Sequence, residues 1–281
     1  MNLVIYPSAK DVEDGELIDF RFPLFASLFF KRIYPTGKIF LCTSMEADIP
    51  DVYRGLLEVI RFEFRKIPYC VSLQFFFKDF CSSDKLSSDT LFTSPDVVLL
   101  NPIPHLDAGC GLSMTYRNHP TRPYSSDLFL VQRRAKERAL TFLEDVIQTM
   151  AWLPGETAAW PDHVALAITI GKLADEHFDG QDHFGTRIRD FLLHPIDNWL
   201  YTPNDLFSAL SSHPVGSTLN DVNTVEDMYQ LITKKISFRF KGPRKHMLIK
   251  LAYKAFEEGY FDPYDAPISI PPDELFREAL G

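Results

Sequence analysis

Residues 38–77 read KIFLCTSMEADIPDVYRGLLEVIRFEFRKIPYCVSLQFFF. The stretch opens on an apolar run, Lys38–Thr43, and closes on another, Cys70–Phe77. Both are short, bounded and rich in Ile, Phe, Val and Leu, so both read as buried strands. Between them, Val52, Leu56, Val59, Ile60, Phe62 and Ile67 suit a helix better than a strand. Asp51 stands as its cap and Pro68 ends it. A strand, a helix and a strand over this length indicate an α/β layer with parallel pairing, because crossovers of this size favour it.

The pattern extends outward. Leu3–Tyr6 (LVIY) and Asp96–Asn101 (DVVLLN) read as two further buried strands. The segment between the first two strands is apolar enough for a helix, with Pro23 inside it. Residues 102–126 are dense in Pro and Gly and lose all periodicity, which places a domain boundary near residue 125. Beyond it the chain reads as mainly helical. One long helix is expected over Asp127–Trp152, stopped by Pro154 and Gly155, and another over Pro161–Phe178 with Pro161 in its first turn. Shorter helices are expected at Gly185–Leu193, Pro203–Leu210 and Val225–Ile236, the last with Thr224 and Asp227 as a capping box. The expected architecture is an α/β domain over residues 1–125 and a helical domain over 126–281.

The chain has 281 residues, with 46% apolar and 24% charged side chains and a net charge of −9. That composition excludes a disordered, collagenous or coiled-coil chain. No apolar stretch approaches the roughly 18 residues of a membrane span, and the N-terminus does not read as a secretory signal. A cytoplasmic protein without membrane contact is the expectation. Cys42, Cys70, Cys81 and Cys110 lie far apart with no C-x-x-C pair, and read as free thiols in or beside apolar segments.

Charge is unevenly spread. Met228–Phe256 holds no acid but carries Lys234, Lys235, Arg239, Lys241, Arg244, Lys245, Lys250 and Lys254, besides His246. The rest of the chain has 21 basic against 38 acidic residues, a net of −17. A local cationic field on an acidic protein attracts phosphate or an acidic surface. The leading functional expectation is therefore a binding or adaptor protein whose basic C-terminal face docks nucleic acid or an acidic protein partner.

KISFRFKG alternates as an edge strand does, RKHMLIKLAYKAFEEG is amphipathic at helical spacing, and PPDELFREAL reads as a last helix opened by prolines. FKG, LIKLAYKAFEEG and DELFREAL in this order resemble the front of a winged-helix domain over about residues 236–281. The resemblance implies nucleic-acid or protein docking. A DNA-reading recognition helix has no counterpart before Gly281, which points to backbone contact or protein–protein use.

The alternative is an enzyme with a pocket at the strand ends. LDAGCGLS (Leu106–Ser113) resembles the first motif of SAM-dependent methyltransferases, with Asp107, Gly109 and Gly111 as the matching, cofactor-binding positions. Asp175, His177, Asp179, Asp182 and His183 crowd together with Glu176 in DEHFDGQDHFG, a mixture of carboxylates and imidazoles that suits a divalent metal and a metal-dependent hydrolase. Cys110 with His105 or His119 offers a thiol–imidazole pair. No G-x-S-x-G elbow or P-loop is present, and no catalytic residue or cofactor is assigned from the sequence.

Overall fold

A computed structural model describes residues 1–9, 12, 19–53, 55–64, 68–103, 112–116, 124–153, 161–175, 200–201, 237–239, 246–260 and 271–276. Its strands are β1 (Asn2–Ile5), β2 (Ile39–Thr43), β3 (Glu58–Arg61), β4 (Thr90–Thr93), β5 (Val97–Leu99), β6 (Leu112–Tyr116), β7 (Tyr124–Val131), β8 (Leu200–Tyr201) and β9 (Ser237–Arg239). Its helices are α1 (Arg21–Ile33), α2 (Tyr69–Ser82), α3 (Lys136–Trp152), α4 (Pro161–Asp175), α5 (His246–Glu257) and α6 (Pro272–Leu275). A six-stranded mixed sheet has the order β3-β2-β1-β4-β7-β6, and a three-stranded sheet the order β5-β9-β8. The α/β class is as expected.

The chain divides into two compact units, each assembled from separated segments. One comprises Met1–Asn2, Arg61–Thr93 and Pro104–Asp197; the other comprises Leu3–Ile60, Ser94–Ile103 and Asn198–Gly281.

In the first unit β7 pairs antiparallel with β4 and with β6. Phe92 and Phe129 are directly opposed across β4 and β7, and their rings stack at 4.6 Å. Helix α2 sets Phe77 and Phe80 edge-on against Phe92. Leu73, Phe76, Phe77 and Phe80 are all buried, and this i, i+3, i+4, i+7 spacing is that of a helix face. The strand expected at Cys70–Phe77 is thus the body of α2. A run this dense in apolar residues is ambiguous between the two states, and here apolar residues recur beyond Lys78 and Asp79 at Phe80 and Cys81, farther than a strand needs. Helices α3 and α4 pack on one another, with Thr149 and Thr169 hydroxyls 3.1 Å apart at their buried contact.

Two further expectations are corrected in this unit. The helix expected over Asp127–Trp152 begins only at Lys136, because Tyr124–Val131 is a strand and residue 125 lies inside it. Leu128, Phe129, Leu130 and Val131 are buried in succession, as strands covered on both faces are. Strands β4 and β6 were not anticipated.

In the second unit β1 and β2 pair in parallel, Leu3 with Ile39 and Ile5 with Leu41. Helix α1 links them. Pro23 sits in its first turn, where a missing N–H costs no helical bond. The Asp19 carboxylate accepts the Arg21 backbone N–H at 2.9 Å and holds the Arg21 guanidinium at 2.7 Å, fixing the helix start. Phe22 to Phe30 are buried without interruption, so this is a core helix and its apolar run is no exposed interface patch. The helix expected from Asp51 to Ile67 is absent from the described part of that segment. Asp51–Tyr53 is one 3₁₀ turn, Gly55 takes φ 82°, and Glu58–Arg61 is β3. A glycine in the left-handed region ends the helical path at once. Strand β9 is not an edge: it lies between β5, antiparallel, and β8, parallel. Phe276, beyond α6, stacks on Phe25 of α1 and Phe256 of α5.

The mainly helical C-terminal part is not borne out as a whole, since β7, β8 and β9 fall within it; the helices expected at 185–193, 203–210 and 225–236 lie outside the described residues. Among the described residues no helix is long and apolar enough to cross a membrane. Cys42, Cys70 and Cys81 are free, as expected.

Phe92→Ala should lower stability by about 3–5 kcal/mol, the cost of removing a ring from a fully packed site, measured by urea unfolding. Burial also pushes the Cys42 thiol well up and the Cys81 thiol from 9.0 to about 12. An unfolded thiol deprotonates near 9.0, so above that pH the native state binds more protons than the unfolded one. Stability is then full below pH 9 and falls toward pH 12, by up to ~1.4 kcal/mol per pH unit per thiol. Urea midpoints taken from pH 8 to 11 should drop, and less steeply in Cys81→Ala.

Candidate functional site

The residues singled out in the sequence are not drawn into one place by the described structure. Asp107, Gly109, Gly111, Cys110, His105 and His119 lie outside the described residues, as do His177, Asp179, Asp182 and His183. Asp175 is the last residue of α4. Lys234, Lys235, Lys241, Arg244 and Lys245 are likewise outside the description, and Arg239 ends β9. Lys250 and Lys254 lie on α5, where the Lys254 ammonium is 2.6 Å from the Glu258 carboxylate. Among the described residues no group of three or more metal-ligating side chains forms.

Other polar groups do come together. At the end of β4 the chain turns through Ser94-Pro95-Asp96 into β5. The Val97 N–H donates to the Ser94 carbonyl at 3.2 Å, which closes a four-residue turn with proline at its second position. Inside the turn the Ser94 hydroxyl donates to Asp96 Oδ1 at 2.5 Å. Asp96 is only 5% exposed. A carboxylate removed from water requires such donors, and an O–H bond to a charged oxygen is among the stronger ones. The same unit ends its parallel strands β1 and β2 on Tyr6-Pro7-Ser8 and on Thr43-Ser44, the latter two buried. In open α/β sheets ligands gather at such carboxyl ends.

A second cluster forms in the other unit at the start of α4. Asp162 and His163 are both buried and follow Pro161, the first residue of the helix. Asp162 Oδ2 accepts from the Ser126 hydroxyl at 3.3 Å and lies 3.9 Å from His163 Nε2. Oδ1 of the same carboxylate is buried without a hydrogen-bond partner among the described residues. Ser126 reaches the site because β7 is irregular: its pairing with β6 jumps from Met114↔Phe129 to Thr115↔Ser125, leaving residues 126–128 bulged. Bulges of this kind re-aim side chains and recur beside active sites. Cys70, in the first turn of α2, joins the group. Burial first, and the Asp162 charge second, push its thiol up to about 11, against hydrogen bonds from backbone N–H groups that include that of Asp162. One turn on, Gln74 Nε2 is a buried donor without a partner among the described residues. A carboxylate oxygen without a donor beside an imidazole is chemically suited to accept a hydroxyl proton.

Sequence reasoning passed over Asp96, Ser126, Asp162 and His163. Asp162 and His163 had one local signal, two polar residues directly after a helix-starting proline. Ser94-Pro95-Asp96 had another, turn residues between two apolar runs.

No family model matches the chain, and no curated protein does. Among solved structures it is similar to the glycosyltransferase GlyE of Streptococcus pneumoniae TIGR4, with a TM-score of 0.55 and 13% identity over 94% of this chain and 61% of that one. Its fold is glycosyltransferase-like. The chain spans 61% of the length of GlyE. It is also similar to a glycosyltransferase involved in the glycosylation of the major capsid of PBCV-1, at 10% identity and a TM-score of 0.47 over 89% of this chain and 99% of that one. The galactosyltransferase LgtC, solved with donor and acceptor sugar analogues, gives 8% identity and a TM-score of 0.48 over 98% and 99%.

This fold overturns the functional expectations drawn from the sequence. A nucleic-acid or acidic-partner adaptor is not what it supports, nor is a SAM-dependent methyltransferase or a metal-dependent hydrolase. The physical reasons are local. A methyltransferase glycine turn needs a strand running straight into it, whereas β5 ends at Leu99, before Pro102 and Pro104, and pairs antiparallel with β9. A winged-helix module would open on its own strand, whereas β9 is the middle strand between β5 and β8. The acid-free window is closed by Glu257 and Glu258, and the second of these neutralises Lys254.

Asp162→Asn removes one of the two causes that raise the Cys70 thiol. Its pKa should fall, though burial keeps it above 9.0. Alkylation of Cys70 by iodoacetamide at pH 8.5, followed by mass spectrometry, should quicken about three- to tenfold, the effect of one nearby charge on the thiolate fraction.

Proposed function

We propose that this protein is a glycosyltransferase that moves a sugar from a nucleotide-linked donor to a hydroxyl acceptor. The observation that carries the proposal is the fold shared with GlyE over 94% of the chain at a TM-score of 0.55. The buried Asp96 carboxylate supports it. Sugars present many hydroxyls and little charge, and carboxylates are side chains that accept from them. Asp96, set in its turn by Ser94, accepts hydroxyls of the donor. In the transfer the acceptor oxygen bonds to the anomeric carbon, the bond from that carbon to the phosphate oxygen breaks, and the nucleoside diphosphate departs with the electron pair. The hydroxyl proton is taken up by an oxygen of the departing diphosphate. Three free thiols among the described residues support a cytoplasmic setting, where such donors are made.

The test is a panel of UDP- and GDP-linked hexoses, with release of nucleoside diphosphate as the readout and calorimetry for binding. At least one donor should be consumed above the enzyme-free rate. Asp96→Asn should lower that rate about 100-fold or more, with far-UV circular dichroism unchanged. Absence of both turnover and binding for every donor rejects the proposal.

A further inference from the structure

Asp96 opens a stretch that runs through β5 to Ile103, and β5 contributes only three residues of ladder to hold it. So short a strand needs other anchors. They come from the ends of α1 and α5, in the same unit. The Tyr260 hydroxyl donates to the Leu100 carbonyl at 2.6 Å, and Arg32 Nη1 donates to the same carbonyl at 3.5 Å. The Ile103 N–H donates to the Tyr34 hydroxyl at 3.0 Å. The Arg32 guanidinium lies 3.3 Å from the centre of the Tyr260 ring, so the two side chains that share the Leu100 carbonyl also stack on each other.

Tyr260 is aimed by the way α5 ends. Gly259 takes φ +66°, the Gly259 N–H donates to the Phe256 carbonyl at 3.0 Å, and the Tyr260 N–H donates to the Ala255 carbonyl at 2.7 Å. These two bonds form a Schellman stop, in which a left-handed residue turns the chain sharply out of the helix. The ring then rests against Phe29 of α1, with centroids 5.7 Å apart.

We propose that Arg32 and Tyr260 form a clasp that positions the Asp96 turn for the sugar donor, so that residues far along the chain set donor affinity without touching the donor. The inference rests on the glycosyltransferase reading. Tyr260 and Arg32 are positioning residues, acting through the Leu100 backbone on Asp96 four residues away.

The experiment uses the full chain with UDP-glucose, UDP-galactose and GDP-mannose as probes. Tyr260→Phe keeps the ring and its stacking and removes only the hydroxyl. It should raise the donor KM about fivefold, the weight of one hydrogen bond, and leave kcat within about twofold. Backbone amides of residues 97–103 should exchange with solvent faster by at least about the same factor. Arg32→Gln should shift KM in the same direction, which keeps the test informative if Tyr260→Phe fails to fold. Tyr253→Phe is the control: its hydroxyl bonds Glu257 on the same helix, and both readouts should stay at the wild-type value. A wild-type enzyme that turns over a donor, with KM unchanged in both Tyr260→Phe and Arg32→Gln, overturns the clasp alone. A wild type that neither binds nor turns over any of the three donors overturns the glycosyltransferase reading, and the clasp falls with it.

Discussion

The face-to-face contact of Phe92 and Phe129 is the constraint around which their unit is organised. The two residues are opposed across β4 and β7, so their stacking and the strand register specify each other. A slip of β7 by one residue would turn the Phe129 ring to the opposite face of the sheet and take from Phe77 of α2 one of the rings it packs on. With that register fixed, the irregularity of β7 falls at residues 126–128, and the Ser126 hydroxyl is delivered to Asp162 at the start of α4. Aromatic packing thus sets the position of a polar group that does not belong to the core.

The sequence declared its architecture through runs that only one state could explain. β1, β2 and β5 are short, bounded and β-branched or aromatic, and each stands within a residue or two of where periodicity puts it. Helix α5 was readable from its amphipathic spacing, and α4 from Pro161. The errors have a common origin in segments dense in apolar residues. Cys70–Phe77, interrupted only by Ser72 and Gln74, and Leu128–Val131 are both such segments, yet the first is helical and the second extended. What separates them is their neighbours in space, because α2 covers one face of the sheet of which β7 is a buried member. For residues 51–67 a single glycine outweighed six apolar residues at near-helical spacing, since Gly55 adopts a backbone angle no helix contains.

The candidate site was far less readable than the fold. Cys70, Ser126 and the Asp162-His163 pair come from three separated places, and nothing in the local sequence around Ser126 announces that a bulge will redirect it. The motifs that did look chemical, a glycine turn and a cluster of acids and histidines, owed their appearance to residue type alone. Charge misled in a similar way: the acid-free window counts residues only up to Phe256, while α5 pairs Lys254 with Glu258 one turn later. Counting along the chain missed a partner that the helical repeat supplies.

The three-stranded sheet carries a consequence for how a newly made molecule behaves. Its middle strand, β9, is synthesised some 140 residues after the strand it joins, since Val98 pairs with Phe238. Until residues 237–239 have been made, β5 presents an open, wholly apolar edge of the kind that recruits other chains. Nascent copies therefore pass through a long interval of stickiness that copies with β9 in place have left behind. A cell making this protein quickly has to shelter that edge, and a truncated message that stops short of β9 yields a product prone to clump rather than a smaller folded protein.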